Sequence, residues 1–260
     1  MQKFTLMMLT CDKYSDIWPA YFGQLRKYWP QYTGEIFVNT ESKRAEGIEI
    51  QNKISYPTEK FQWDTPWSYR LYKCLEQIQT EYVIFLMDDF ILTDYVDQEE
   101  IEKDISYMEN DKTIACFNYL PIPGEPEAIK YDRYMLMPKK TPFRINLQAA
   151  LWRKSYLMKF IRKHENPWQF ENWGSIRARR YNDNIYHLRK DAKRVFIYPN
   201  GGIIADERWH TEAAVELLKK EGYNIDFSAR TIYHKGDARK TEIVHRAFIK
   251  KCWQVFKSLI

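Results

Sequence analysis

Tyr82-Val83-Ile84-Phe85-Leu86-Met87 runs without a charged residue straight into Asp88-Asp89-Phe90, and no other stretch constrains the fold as strongly. An uncharged run of this length, ended by turn-forming residues, predicts a strand buried on both faces. Such a strand belongs inside an open α/β sheet, where ligands bind outside the carboxyl ends of the strands. Two adjacent carboxylates at that end repel each other unless a cation or a hydrogen-bond network offsets the repulsion. Mg²⁺ or Mn²⁺ suits oxygen ligands and would tie the pair to a substrate phosphate. The competing reading is a polar turn, with one Asp capping the next helix and the other solvated. A buried strand preceded by a helix favours the cation.

The rest of the chain supports an α/β sheet. Strands are predicted at residues 4–9, 35–39, 48–54, 82–87 and 113–119, and helices at 17–29, 67–79 and 99–108. Leu71, Cys74, Leu75 and Ile78 recur at helical spacing in the 67–79 segment. This alternation predicts a mostly parallel mixed sheet with helices on both faces. Five prolines between residues 120 and 142 exclude a long regular element and leave room for a short antiparallel pair. Beyond it, order returns at 146–152, with helices at 155–163 and after Asn166-Pro167. The Asn200-Gly201-Gly202 turn suggests a hairpin between 195–198 and 203–205. A helix at 211–221 ends at Gly222, and a last one spans 242–259.

At 260 residues the chain fits one α/β domain, residues 1–230, with a basic helical tail, 231–260. The tail holds seven Lys or Arg against two acids, and that excess of five equals the formal charge of the whole chain. Aromatic residues make up 16% of the sequence, with nine Trp and nineteen Tyr. Most will pack, but flat rings with polar edges also line sugar and base sites. The four cysteines are scattered without zinc or disulfide spacing, and no signal peptide or membrane-spanning run is visible. These features predict a cytoplasmic chain.

In order and content, four segments resemble bacterial glycosyltransferases of the GT-A fold, the nucleotide-sugar-dependent kind found in capsule and lipopolysaccharide gene clusters. They are residues 4–14, the helix opening Ser68-Tyr69-Arg70, the segment Phe85-Leu86-Met87-Asp88-Asp89-Phe90, and Gln148-Ala149-Ala150-Leu151-Trp152 leading to Asn166-Pro167-Trp168-Gln169-Phe170-Glu171. The resemblance covers about four-fifths of the chain. It implies a nucleotide near Thr10, Asp12 and Tyr14, with Ser68 and Arg70 close to the donor. Asp88 and Asp89 resemble the family's D-x-D motif, which holds a divalent metal on the diphosphate. A strict D-x-D is not present, since Met87 stands two residues before Asp89; Asp89 is therefore the direct ligand and Asp88 assists. A metal would stabilise the departing diphosphate, with Arg70 helping. Glu171 is the candidate base for an inverting transfer; alternatively it is an ordinary first-turn glutamate favoured by the helix dipole. Glu165 and Asp183 are weaker contenders, and His210 and His234 read as residues of ordinary structure.

A sugar nucleotidyltransferase would need a glycine-rich loop after the first strand, and Thr10-Cys11-Asp12-Lys13-Tyr14 has no glycine. A non-catalytic nucleotide- or glycan-binding module with a basic membrane- or nucleic-acid-binding tail is the alternative to an enzyme. The balanced core offers no phosphate-tracking stripe, so nucleic acid is not an expected partner. The expected partners are a UDP-linked or related sugar donor and a surface-glycan or lipid-linked acceptor. Trp253, Phe256 and Leu259 lie among Lys250, Lys251 and Lys257. That helix either docks on an anionic inner membrane leaflet or packs its apolar stripe on the core.

Overall fold

A computed structural model describes residues 2–121, 129–234 and 257–258. Its centre is a nine-stranded mixed sheet in the order β3-β2-β1-β4-β8-β5-β9-β7-β6. The strands are β1 (Phe4–Leu9), β2 (Ile36–Asn39), β3 (Ile54–Ser55), β4 (Tyr82–Met87), β5 (Ile114–Asn118), β6 (Ile129–Tyr131), β7 (Tyr134–Leu136), β8 (Ala150–Arg153) and β9 (Asn184–Leu188). β1, β2, β3 and β4 are mutually parallel, as are β5 and β9, whereas β8 and β7 run against their neighbours. The helices are α1 (Trp18–Tyr28), α2 (Trp67–Gln77), α3 (Gln98–Asn110), α4 (Lys154–Phe160), α5 (Pro167–Ala178) and α6 (Glu212–Lys220). A two-stranded ribbon, β10 (Ile204–Ala205) and β11 (Arg208–Trp209), precedes α6.

Alternation along β1 and β4 sorts the core into two layers. Leu6, Met8, Ile84 and Leu86 face one side with Phe22 and Leu25 of α1, Ile105 and Met108 of α3, and Leu218 of α6. Met7, Leu9, Val83 and Phe85 face the other with Leu71 and Leu75 of α2, Leu157 of α4 and Phe170 of α5. Both strands are therefore buried on both faces, because each face of the sheet carries a helix layer. The expected sheet, with helices on both faces, is present.

Four local features differ from the sequence expectations. Of the 48–54 segment only Ile54 pairs, in the two-residue strand Ile54–Ser55, because Asn52 Nδ2 donates to the carbonyls of Tyr32 (2.9 Å) and Gly34 (2.8 Å) and holds the approach as a loop. Asn184–Leu188 forms a buried strand that was not expected; its Asn and His interrupt the apolar run that would have revealed it. The hairpin turns at Asp206-Glu207, not at Gly201-Gly202, with left-handed φ values of 49° and 65°. Residues 195–198 form no strand. The short antiparallel pair in the proline-rich segment is present as β6 and β7.

Of the tail, residues 235–256 and 259–260, which include most of the expected amphipathic helix, lie outside the described residues. Thr231 and Tyr233 exchange main-chain hydrogen bonds with Trp209 of β11. Ser258 is buried beside α5, where its carbonyl accepts from Arg177 and its hydroxyl lies 3.0 Å from His164 Nε2.

Candidate active site

The chain leaves β1 toward β2 on one side and returns to β4 on the other, so the crevice at the carboxyl ends of β1 and β4 is the sheet's topological switch point. Asp88 enters it directly after β4, tied to β1 by a hydrogen bond from its N–H to the Leu9 carbonyl (3.1 Å). The turn closes when Phe90 N–H bonds Met87 C=O (3.1 Å), and the Phe90 ring stacks on Tyr198 at 4.3 Å. Both carboxylates are buried. Thr10 donates to Asp88 Oδ2, and Trp18 Nε1 donates to Thr10 Oγ1 (2.8 Å).

Asp89 lies against the second of two consecutive glycines. Its carbonyl accepts from Ile203 N–H (3.0 Å), and Gly202, at φ 75°, faces its carboxylate so closely that a Cβ would stand 2.1 Å from Oδ2. On the same glycine pair sits His210, whose Nδ1 is 3.0 Å from the Gly202 carbonyl. Burial, followed by the charge of Asp89, pushes the Asp88 carboxyl well above the ordinary carboxylate range. Burial raises Asp89 to about 7. Asp89 Oδ1 is buried with no hydrogen-bond partner. An orphaned carboxylate oxygen beside a second carboxylate is suited to a hard divalent cation. Among the described residues no group of three or more His, Cys, Asp or Glu is arranged around one metal position. The protein would thus supply one or two carboxylates and leave the remaining positions to phosphate and water, as Mg²⁺ sites commonly do.

The residues expected to hold a nucleotide divide into those that line this crevice and those bound up in its walls. Thr10 lines it. Asp12 opens a short 3₁₀ turn (Asp12–Ile17), and its carboxylate accepts from Thr40 Oγ1, Ser42 Oγ (2.6 Å) and the N–H groups of Glu41, Ser42 and Lys43 (about 3.1 Å each). These donors hold it below the usual carboxylate range despite partial burial. Asp12 therefore binds the loop after β2 and has little capacity left for a ligand. Glu41 on that loop accepts from Asp12 N–H (2.5 Å) and pairs with Arg70 Nη1 at 2.6 Å. Arg70 is thereby placed at the ends of β1 and β2, with Nε buried and unpartnered. Tyr14 packs under the Arg230 guanidinium, 5.5 Å from its ring, while Arg230 is held by Asp16 (2.8 Å). Burial raises the Tyr14 hydroxyl far above its ordinary value. Ser68, fully buried, donates to Arg162 C=O (2.6 Å) and accepts from Glu165 N–H (2.8 Å); its hydroxyl joins α2 to the turn before α5.

Glu171 is half-buried on α5, where Oε1 accepts from Leu147 N–H (2.9 Å) and desolvation raises its carboxyl. Counting outward from the Phe85–Ala150 pair of β4 and β8, Leu147 and Asp88 are both three residues on, at the same edge of the sheet. Glu165 instead forms a fully buried pair with Arg177 (2.6 and 2.7 Å), and Asp183 lies beside Tyr156. His234 is exposed. Sequence reasoning missed Glu41 and Gly202 and read His210 as ordinary structure. The Gly-Gly pair was the available signal, since two positive-φ glycines mark a place where something approaches the backbone closely.

Among the described residues no helix is long and apolar enough to cross a membrane. No family model matches the chain, and no curated protein matches its sequence. Solved structures do. A structure of S. aureus TarS 1–349 is 13% identical with a TM-score of 0.50, covering 88% of this chain and 68% of that one. Against a longer TarS structure, at 13% identity and TM-score 0.48, the coverage is 88% of this chain and 41% of that one. A cytidylyltransferase from Leptospira borgpetersenii is also similar, at 13% identity and TM-score 0.43, covering 90% of this chain and all of its own. The chain therefore has a GT-A-like, Rossmann-type α/β fold, which it shares with TarS.

Proposed function

We propose that the protein is a metal-assisted glycosyltransferase that moves a sugar from a nucleotide diphosphate donor, UDP-linked, to a glycan or lipid-linked acceptor of the cell surface. The observation that carries this reading is the buried Asp88-Asp89 pair at the switch point, with Asp89 Oδ1 left unpartnered. Asp89 would hold Mn²⁺ or Mg²⁺, with Asp88 assisting while it accepts from Thr10. Bound there, the ion supplies Lewis-acid stabilisation of the diphosphate oxygens. Arg70, whose charge is shared with Glu41 at 2.6 Å, would add positive charge toward the phosphates.

Glu171 is the base of this reading. Its raised carboxyl suits proton acceptance at the site, and Leu147 N–H fixes Oε1 while Oε2 has no protein partner among the described residues. As the acceptor hydroxyl oxygen bonds the anomeric carbon, its proton passes to Glu171. The bond from that carbon to the phosphate oxygen breaks, and the diphosphate leaves with the electron pair. A single displacement of this kind would invert the anomeric centre. Nucleotidyl transfer is disfavoured, because the segment after β1 is a 3₁₀ turn without glycine and not an open phosphate cradle.

Calorimetric titration of UDP, GDP and CMP, with and without Mn²⁺, tests the reading on wild type and Asp89→Ala. Metal-dependent binding of a nucleoside diphosphate by wild type only is the expected result. Absence of binding to all three would remove the donor site and favour a non-catalytic module. For the tail, packing on the core is favoured, since Ser258 is buried beside α5; contact of the rest of it with an anionic inner leaflet is the alternative. Equal co-sedimentation of the full chain and a chain truncated at Thr231 with anionic liposomes would contradict it.

A further inference from the structure

A groove of about 380 Å³ runs along the outer side of α5, lined by Phe143, Trp168, Gln169, Asn172, Trp173 and Arg179 among others. Its volume lies within the range of small-ligand sites. Trp168 is 67% exposed and Phe143 46% exposed, unusual for large aromatics on a chain whose other rings mostly pack. Phe143 also holds a left-handed φ of 54°, a conformation costly for a bulky residue and more often kept where function needs it.

The polar groups between the rings have free valences. The capping box uses Asn166 Oδ1 and Gln169 Oε1, so neither amide NH₂ donates to another described residue. Asn172 spends Nδ2 on the Trp168 carbonyl (2.8 Å) and keeps its oxygen. Arg179 has no ion-pair partner among the described residues. Flat rings interleaved with amide donors and acceptors match a sugar chain, whose rings have apolar faces and hydroxyl rims. A lipid or peptide partner would be better served by aliphatic residues, and among the described residues this wall has only Ile176 and Pro142 besides its rings.

The groove and the expected base share α5. Ser175, on the groove wall, donates to Glu171 C=O (2.6 Å) and accepts from Ile145 N–H (3.0 Å), while Glu171 holds Leu147. Residues 143–147 are thereby fastened to α5 as a fixed wall. From Trp168 to Arg179 the helix rise spans about 16 Å, room for several sugar rings. We infer that this groove binds the non-reacting part of an oligosaccharide acceptor, with Trp168 as its stacking platform and the terminal hydroxyl directed to Glu171. The inference rests on the glycosyltransferase reading for the identity of the ligand as acceptor.

The test is a glycan array of neutral, amino-sugar and uronic-acid oligosaccharides probed with full-length wild type, Trp168→Ala and Trp168→Phe, together with UDP–Mn²⁺ titration of each. Binding to a subset of glycans, weakened at least tenfold in Trp168→Ala and largely restored in Trp168→Phe, with UDP–Mn²⁺ affinity unchanged, is expected. No glycan bound by wild type, or equal binding by Trp168→Ala, would overturn it. So would Trp168-dependent co-sedimentation with phosphatidylglycerol vesicles without glycan binding, which would assign the patch to a membrane. Glycan binding through Trp168 without any nucleotide binding would leave the groove standing and remove the donor reading instead.

Discussion

Gly202 and Asp89 are packed so closely that a methyl group on the glycine would stand 2.1 Å from the carboxylate oxygen. The contact explains why a glycine at φ 75° lies opposite the acidic pair: only a bare backbone admits Asp89 there. Gly202→Ala combines backbone strain with displacement of the carboxylate and is expected to cost about 1–3 kcal/mol in stability. It should also weaken Mn²⁺-dependent nucleotide binding at least tenfold. Gly47→Ala is the control: its φ of 66° imposes strain, but nothing lies within 4 Å of the added carbon. Denaturant melts and titrations on both variants check this; a Gly202→Ala variant with wild-type nucleotide affinity would contradict it.

Glu171 accepts from Leu147 N–H and is the proposed base, and one substitution separates the two. A glutamine keeps an oxygen to accept from Leu147 N–H, so Glu171→Gln should melt within a few degrees of wild type. It cannot take a proton, and transfer should fall by about 10²–10⁴-fold. Single-turnover assays beside thermal melts decide the matter, and a variant that transfers normally would leave Glu171 as a structural tie only.

Asp104 on α3 is fully buried and accepts from Tyr134 Oη at 2.6 Å, with Glu100, Tyr119 and Arg133 as its other neighbours. Burial holds its carboxyl well above the ordinary range, so the folded state favours the proton. At pH below the ordinary carboxylate value both folded and unfolded chains are protonated there and no penalty arises. As pH rises through that value the unfolded chain ionises first, and Asp104 subtracts from stability. Asp104→Asn should therefore raise the melting temperature at pH 8, with the gap closing by pH 4. A gap that instead widens toward acid would reverse the sign and refute the assignment.

Arg177 and Glu165 form a pair in which neither side chain is more than 2% exposed, and Arg177 also bonds the carbonyls of Phe160 and Ser258. Removing one partner leaves the other charge buried alone. Arg177→Met is expected to cost about 3–5 kcal/mol, and a double Arg177→Met, Glu165→Leu variant should recover much of it. Urea denaturation of the two variants gives the comparison; equal stability would show the pair to be solvated.

The sequence alone determined the α/β class, the buried β4 strand and the acidic pair at its end. Those features follow from local patterns: an uncharged run, helical spacing, and two carboxylates in consecutive positions. It did not reveal β9, whose Asn184 and His187 break the apolar pattern although β5 and β7 bury it on both sides. Nor could it separate Asp12, whose acceptors are filled by Thr40, Ser42 and three backbone N–H groups, from Asp89, whose Oδ1 has none. Both read as acidic residues just past a strand. Which carboxylate is satisfied and which is left open depends on loops distant in sequence, the one after β2 and the one carrying Gly202 and His210. Contacts of that range are decided only when the sheet brings its carboxyl ends together.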